Sequence, residues 1–208
     1  MARVVLKTLI TIIEGWNLKD IAKYLEKQGI VVRDGLAPEL EGYLFPDTYE
    51  ISPEDGIDEI IKIMLDNFDK KAGLFSPEVI TMASLIEKEV RVLEDKKIVS
   101  GIFWKKINRG ESLYSCATIA YILGRENWTF EEMREEIASG KDIDSPYNTY
   151  KYQGLPLGPI SNPGLESIMA AIYPKDSDYW YYLSTPEGKT IFSKTLEEHN
   201  IAKAKYLK

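Results

Sequence analysis

Four prolines and three glycines crowd into residues 145–164, SPYNTYKYQGLPLGPISNPG. Proline fixes φ and lacks an N–H, so this stretch can be neither a regular helix nor a central strand. The chain must lay an irregular segment across whatever its regular elements build. Long irregular segments in compact domains are often functional. Tyr147, Tyr150, Tyr152, Leu155 and Ile160 make it too apolar for a solvated tether, so it is expected to pack. Asn148, Thr149, Tyr150 and Asn162 add hydrogen-bonding groups and flat faces, the surface chemistry sugars need. The competing reading is that these polar residues only hold the loop in shape through turn hydrogen bonds.

Regular elements bracket the loop. Residues 3–13 are rich in Val, Ile, Leu and Thr and read as a strand. Asn17 is placed to cap a helix, with Asp20 putting negative charge in its first turn. Leu18, Ile21, Ala22 and Leu25 fall on one face of that helix, and Gly29 closes it. Residues 30–32 read as another extended piece. Residues 41–51, EGYLFPDTYEI, turn at Pro46-Asp47 into a strand, and 55–73 form an amphipathic helix. Further helices are expected over 98–107, over 116–123 with Gly124 as the stop, and over 129–139. Beyond the loop come a helix at 165–171, a hairpin of 179–184 with 189–192, and a closing helix at 196–207. The chain is therefore α+β, a small α/β module followed by a mixed α+β domain.

Ser76-Pro77-Glu78 launches one more helix. In it Val79, Met82, Ala83, Ile86, Val90 and Leu93 recur at three- and four-residue steps. Glu87 and Glu89 flank that apolar face, one on each side. A glutamate wedged against apolar side chains is desolvated and holds its proton more firmly. A protonated glutamic acid near neutral pH is what general-acid cleavage of a glycosidic bond requires. E-K-E runs are also common on solvated helix faces, and spacing alone favours that reading. Spacing does not choose between Glu87 and Glu89 either.

Composition narrows the field. Of 208 residues 44% are hydrophobic, enough for a real core, and the net charge of −7 disfavours phosphate-mediated nucleic-acid binding. One cysteine, Cys116, excludes an internal disulfide; with one histidine, His199, it leaves no His/Cys metal cluster. No cofactor is expected. No apolar run approaches the length of a membrane span, and no signal peptide is visible.

Five stretches in series carry a family resemblance: Ile12–Leu25 (IIEGWNLKDIAKYL), Leu40–Ile51 (LEGYLFPDTYEI), Met82–Val90 (MASLIEKEV), Tyr147–Gly164 and Thr190–Asn200 (TIFSKTLEEHN). Together they resemble the endolytic murein transglycosylases, the YceG-like proteins. The resemblance implies a LysM-like module over 1–40, a connecting strand and helix over 41–75 and a catalytic domain over 76–208. It implies a lytic transglycosylase that cuts peptidoglycan glycan strands at the β-1,4 bond between N-acetylmuramic acid and N-acetylglucosamine. Such an enzyme leaves 1,6-anhydro ends and so terminates or trims nascent strands. The family's catalytic glutamate corresponds to the first acid of the E-K-E run, Glu87, as general acid and then base. Asn148, Thr149, Tyr150, Asn162 and Thr118 become substrate-binding candidates, with no metal. The implied partners are glycan strands and cell-wall synthases. Family members usually carry a membrane anchor before the first strand and act outside the cytoplasmic membrane; this chain is expected to be a soluble fragment without it.

The chain also departs from the family. Lys105-Lys106 stand where Asn-Arg is frequent, and Gly110-Glu111 where Gly-Met is. Cys116 replaces an aspartate ahead of Ala117-Thr118, and Leu157 replaces a proline. Two other functions fit the residues. One is a lysozyme-like hydrolase pairing Glu87 with Glu89 or Asp47. The other is a non-catalytic glycan-binding module.

Overall fold

A computed structural model describes residues 7–73, 75–125 and 142–207, with 132, 135, 136, 139 and 140. Of the helix expected over 129–139, residues 132, 135, 136 and 139 are described and helical; its other residues and the first residues of the expected strand lie outside the described residues.

The apolar residues sort into two cores. In the first, strand β1 (Thr8–Thr11) pairs antiparallel with β2 (Thr48–Ile51), Thr8 opposite Ile51 and Thr11 opposite Thr48. Period-two alternation sends Ile10, Tyr49 and Ile51 to the buried face. Helix α1 (Leu18–Lys27) covers it with Leu18, Ile21 and Leu25. Asn17 closes a capping box with Asp20, the two side chains each accepting the other residue's backbone N–H. Gly29, at φ +84°, lets the chain leave α1. Residues 30–32 form no strand, because the Ile30 N–H returns to the Leu25 carbonyl as part of that helix exit. Helix α2 (Ile57–Lys71) adds Ile60 and Met64 to the same core. Both β2 and α2 come from residues 41–75.

The second core is built around helix α3 (Pro77–Glu89). Every side chain from Ile80 to Ile86 is buried, so α3 is enclosed on all sides. Around it stand α4 (Leu93–Asn108), α5 (Cys116–Leu123, stopped by left-handed Gly124) and α6 (Leu165–Ile172). The hairpin β3 (Tyr181–Ser184) with β4 (Thr190–Ser193) and the helix α7 (Leu196–Tyr206) complete the unit. Helix α4 begins at Leu93, earlier than its apolar pattern indicates, because Lys96 turns inward rather than interrupting it.

The proline-rich segment ties the two cores together. Ile160 N–H donates to Ser84 Oγ (3.0 Å) and Ser161 Oγ donates to the Ser84 carbonyl (3.2 Å), pinning the loop to α3. Asn162 reaches the other core, accepting from Leu44 N–H at 2.9 Å and donating to the Trp16 carbonyl at 3.0 Å. Gly42, at φ +90°, lies so close to the loop that a Cβ there would stand 2.6 Å from Pro159.

Candidate active site

Two residues along a helix rotate a side chain by about 200°, so Glu87 and Glu89 leave α3 on opposite sides. Glu87 faces α6 and the first core. One carboxylate oxygen accepts from Gly164 N–H (3.0 Å) and Ser167 Oγ (2.7 Å), capping the start of α6. The other accepts from Lys96 Nζ at 3.1 Å, in an ion pair whose side chains are 3% and 9% exposed. Glu14 presses against the same corner, and a Cβ on Gly164 would meet its carboxylate at 1.9 Å. Burial, then the nearby charge of Glu87, raises the Glu14 carboxyl above its ordinary range. The apolar wedge expected around Glu87 is thus a cage of three donors.

Glu89, the last residue of α3, turns toward α5 and the hairpin. It accepts from Ser115 Oγ and from the Tyr182 hydroxyl, with Lys106 close by. Burial dominates these donors and raises its carboxyl above the ordinary range, so the proton is held more firmly. Burial also drives Lys106 down, against the attraction of Glu111 and Glu89, and raises the Tyr182 hydroxyl. Beside Glu89, the Cys116 thiol is pushed up to about 11 by burial and stays neutral, 3.2 Å from the Tyr150 hydroxyl.

An open cavity of about 480 Å³ adjoins this cluster, lined by Tyr114, Asp142, Tyr150 and Lys151. Tyr114 meets Tyr150 edge to face at 5.5 Å, and Lys106 lies 5.6 Å from the Tyr114 ring centre. Tyr114 also holds a left-handed backbone, φ +57°, unusual for an aromatic residue.

Of the loop residues expected to bind substrate, Tyr150 alone lines this cavity. Asn148 is 1% exposed, its amide donating to the Gly140 and Ile143 carbonyls and its oxygen accepting from Tyr150 N–H. Thr149 accepts from Ser115 N–H at 3.1 Å and meets Thr118 Oγ1 at 3.0 Å, both threonines buried. Asn162 is fully enclosed between the cores. Asn148, Thr149 and Thr118 support the segments beside the cavity rather than face its opening, and Asn162 ties the two cores together. Asp47 is tied to Lys71 at 2.5 Å and Asn67 at 2.8 Å, and these donors lower its carboxyl. His199 stacks on Tyr181 at 5.3 Å. Among the described residues no group of three or more His, Cys, Asp and Glu is placed to hold a metal.

A profile of the YceG-like family matches residues 2–205. The chain belongs to the YceG-like family. It is 36% identical over 179 residues to a Bacillus subtilis (strain 168) protein named endolytic murein transglycosylase, covering 81% of this chain and 48% of that one. It is 36% identical over 193 residues to the protein of that name from Streptococcus pneumoniae (strain ATCC BAA-255 / R6), covering 86% and 35%. The chain therefore spans about half the length of the first relative and a third of the second. A YceG-like protein of Listeria monocytogenes, solved by crystallography, superposes with TM-score 0.75 at 32% identity, over 94% of this chain and 76% of that one. The mixed α+β fold is thus the YceG-like fold. No helix among the described residues is long and apolar enough to cross a membrane.

The YceG-like sequence hid several members of the site. Ser115 carries no motif of its own, and Tyr182 sits in an aromatic run that reads as core. Lys96 and Ser167, the partners of Glu87, lie on helices whose patterns gave no sign of a buried charge.

Another buried acid joins the two cores. Glu41 accepts from Leu18 N–H (3.3 Å), Asn162 Nδ2 (3.3 Å) and the Tyr121 hydroxyl (3.4 Å). Burial outweighs these donors, with Asp20 adding repulsion and Lys88 attraction, and raises its carboxyl from 4.5 to about 7. The stability carried by the neutral acid is complete below pH 4.5 and is lost as pH rises through about 7. Glu41→Gln should flatten this dependence and stabilise the protein at pH 8 by up to about 3 kcal/mol. Thermal melts of both proteins from pH 5 to 8.5 check it.

Proposed function

We propose that this chain is the catalytic part of a lytic transglycosylase acting on peptidoglycan glycan strands, with Glu89 as its acid–base. The observation that carries the reading is a burial-raised glutamic acid beside an open, tyrosine-lined cavity. The names of its relatives supply the substrate class. Resemblance in sequence assigns the role to Glu87, but that carboxylate is held by Lys96, Gly164 and Ser167 and caps α6. Removing it from those donors for each turnover would be costly, whereas burial already makes Glu89 hold its proton more firmly than an ordinary glutamate.

Glu89 protonates the glycosidic oxygen between N-acetylmuramic acid and N-acetylglucosamine as the C1–O4 bond breaks. The muramic C6 hydroxyl then attacks its own C1, and the Glu89 carboxylate takes the hydroxyl proton. A 1,6-anhydro sugar results, no water is consumed and the carboxyl returns to its starting state. One carboxyl thereby does the work that ordinary glycosidases divide between two. The intramolecular nucleophile is already in place, which removes much of the entropic barrier. Ser115 and Tyr182 orient the carboxyl, Tyr150 offers its ring and hydroxyl to the sugar, Asn148, Thr149 and Thr118 support the walls, and Asn162 holds the two cores together. Glycan strands are the substrate; work beside cell-wall synthases, outside the cytoplasmic membrane, is the setting this chemistry suits.

The test is a digest of purified glycan strands with the new ends weighed by mass spectrometry. Ends lacking one water relative to reducing ends are expected. Reducing ends throughout would replace the transglycosylase with a hydrolase, and binding without any soluble fragments would leave a glycan-binding module.

A further inference from the structure

The C-terminal turn of α4 has a second face, turned away from Glu89. There a cavity of about 360 Å³ is lined by Trp104, Lys105, Asn108, Arg109, Pro174 and Asp176. Trp180 beside it gathers two cations, with the Arg109 guanidinium 4.2 Å and Lys105 Nζ 4.5 Å from its ring centre. Lys105 is also held by the carbonyls of Ser177 (2.6 Å) and Tyr179 (2.8 Å). Trp104 is fixed by its indole N–H donating to the Ala171 carbonyl at 3.0 Å. Arg109 is exposed, and among the described residues neither it nor Lys105 is in an ion pair; Asp178, which feels the Lys105 charge, is bound to Lys194 at 2.9 Å.

Lys105 has a structural task, joining α4 to the segment before β3. Arg109 does not; its guanidinium lies over the Trp180 ring on an exposed residue. A stacked guanidinium loses little freedom on binding and matches a carboxylate in a two-pronged hydrogen bond. Two cations against the single acid Asp176 give the cavity a net positive lining. This site and the catalytic one are linked through consecutive residues of α4 and of the hairpin. Lys105 and Lys106 are neighbours in α4, as are Trp180 and Tyr181 at the start of the hairpin. Lys106 lies 5.9 Å from the Tyr181 ring centre and 5.6 Å from that of Tyr114, which lines the catalytic cavity.

We infer that the Trp180–Arg109–Lys105 cavity is a carboxylate subsite, which takes the acidic groups hanging from a glycan strand whose scissile bond lies at Glu89. The inference rests on the transglycosylase reading. A muramic acid unit has two sources of carboxylate. Its lactyl group bears one when the sugar is naked, and an attached peptide bears its own while consuming the lactyl one in an amide.

Arg109→Gln keeps a planar side chain on the indole and removes the charge. On strands that carry the engaged carboxylate, KM should rise about tenfold with kcat retained. A rise confined to peptide-bearing strands identifies the peptide carboxylate, and one confined to naked strands the lactyl group. Strands with their carboxyls converted to neutral amides should bind the wild type as weakly as acidic strands bind Arg109→Gln. Equal KM values for wild type and Arg109→Gln on both kinds of strand overturn the subsite. Calorimetric titration of uncleaved strands into Glu89→Gln, with and without Arg109→Gln, needs no turnover. It separates the two ideas: a tenfold affinity difference there supports the subsite even if no anhydro product ever forms, and no difference removes it.

Discussion

Glu89→Gln should lose at least about 100-fold in kcat on glycan strands, within the range a general acid–base contributes, while still binding them. Glutamine keeps the shape and can still accept from Ser115 and Tyr182, so the melting temperature should stay near that of the wild type. The same carboxyl sets the high-pH limb of the rate profile. Its proton is held more firmly than an ordinary glutamate's, so kcat/KM should fall only as pH rises above the usual carboxylate range. Ser115→Ala removes a hydrogen bond that favours the ionised form. The falling limb should then move to still higher pH, with a smaller loss of rate than in Glu89→Gln. A pH series of initial rates on one strand preparation measures both effects. Unchanged kcat in Glu89→Gln would move the proton donor elsewhere.

How far the sequence carried the structure depends on the kind of signal each residue gave. The N-cap at Asn17 and the stop at Gly124 follow from local chemistry and stand where the pattern puts them. The proline-rich segment packs because its tyrosines and aliphatics must, and Ile160 and Asn162 are both buried. Helix α3 was harder. Its stripe reads as amphipathic, yet Thr81 and Ser84 on the other faces are buried too, since small hydroxyls can satisfy themselves on backbone carbonyls. Thr81 Oγ1 donates to the Pro77 carbonyl at 2.8 Å and Ser84 Oγ to the Thr81 carbonyl at 2.7 Å. The site was the least legible part. Two glutamates two residues apart are equivalent to any periodicity argument, and only tertiary partners distinguish them. Lys96, nine residues beyond Glu87, arrives from α4, and Ser115, twenty-six beyond Glu89, from the residue that precedes α5. Polar residues in the loop looked like sugar ligands because side-chain type alone does not tell an amide that faces a cavity from one that ties a loop to its neighbours.

Glu87 and Lys96 offer the decisive contrast with Glu89. Both are almost fully enclosed, so removing one partner leaves the other as an uncompensated buried charge. Glu87→Gln should therefore cost about 3–5 kcal/mol and lower the melting temperature by roughly 10 °C. Its amide oxygen can still accept from Gly164 and Ser167, so the loss traces to the stranded lysine. Lys96→Met added to Glu87→Gln takes that charge away and replaces it with an apolar side chain of similar length. Exchanging a buried ion pair for uncharged groups of similar volume is often close to neutral, so the double variant should recover most of the stability. Activity should return with it, because the α6 cap and the wall beside Glu14 are rebuilt while Glu89 is untouched. A proton donor cannot be rescued in this way. A folded double variant that stays inactive would return the acid to position 87.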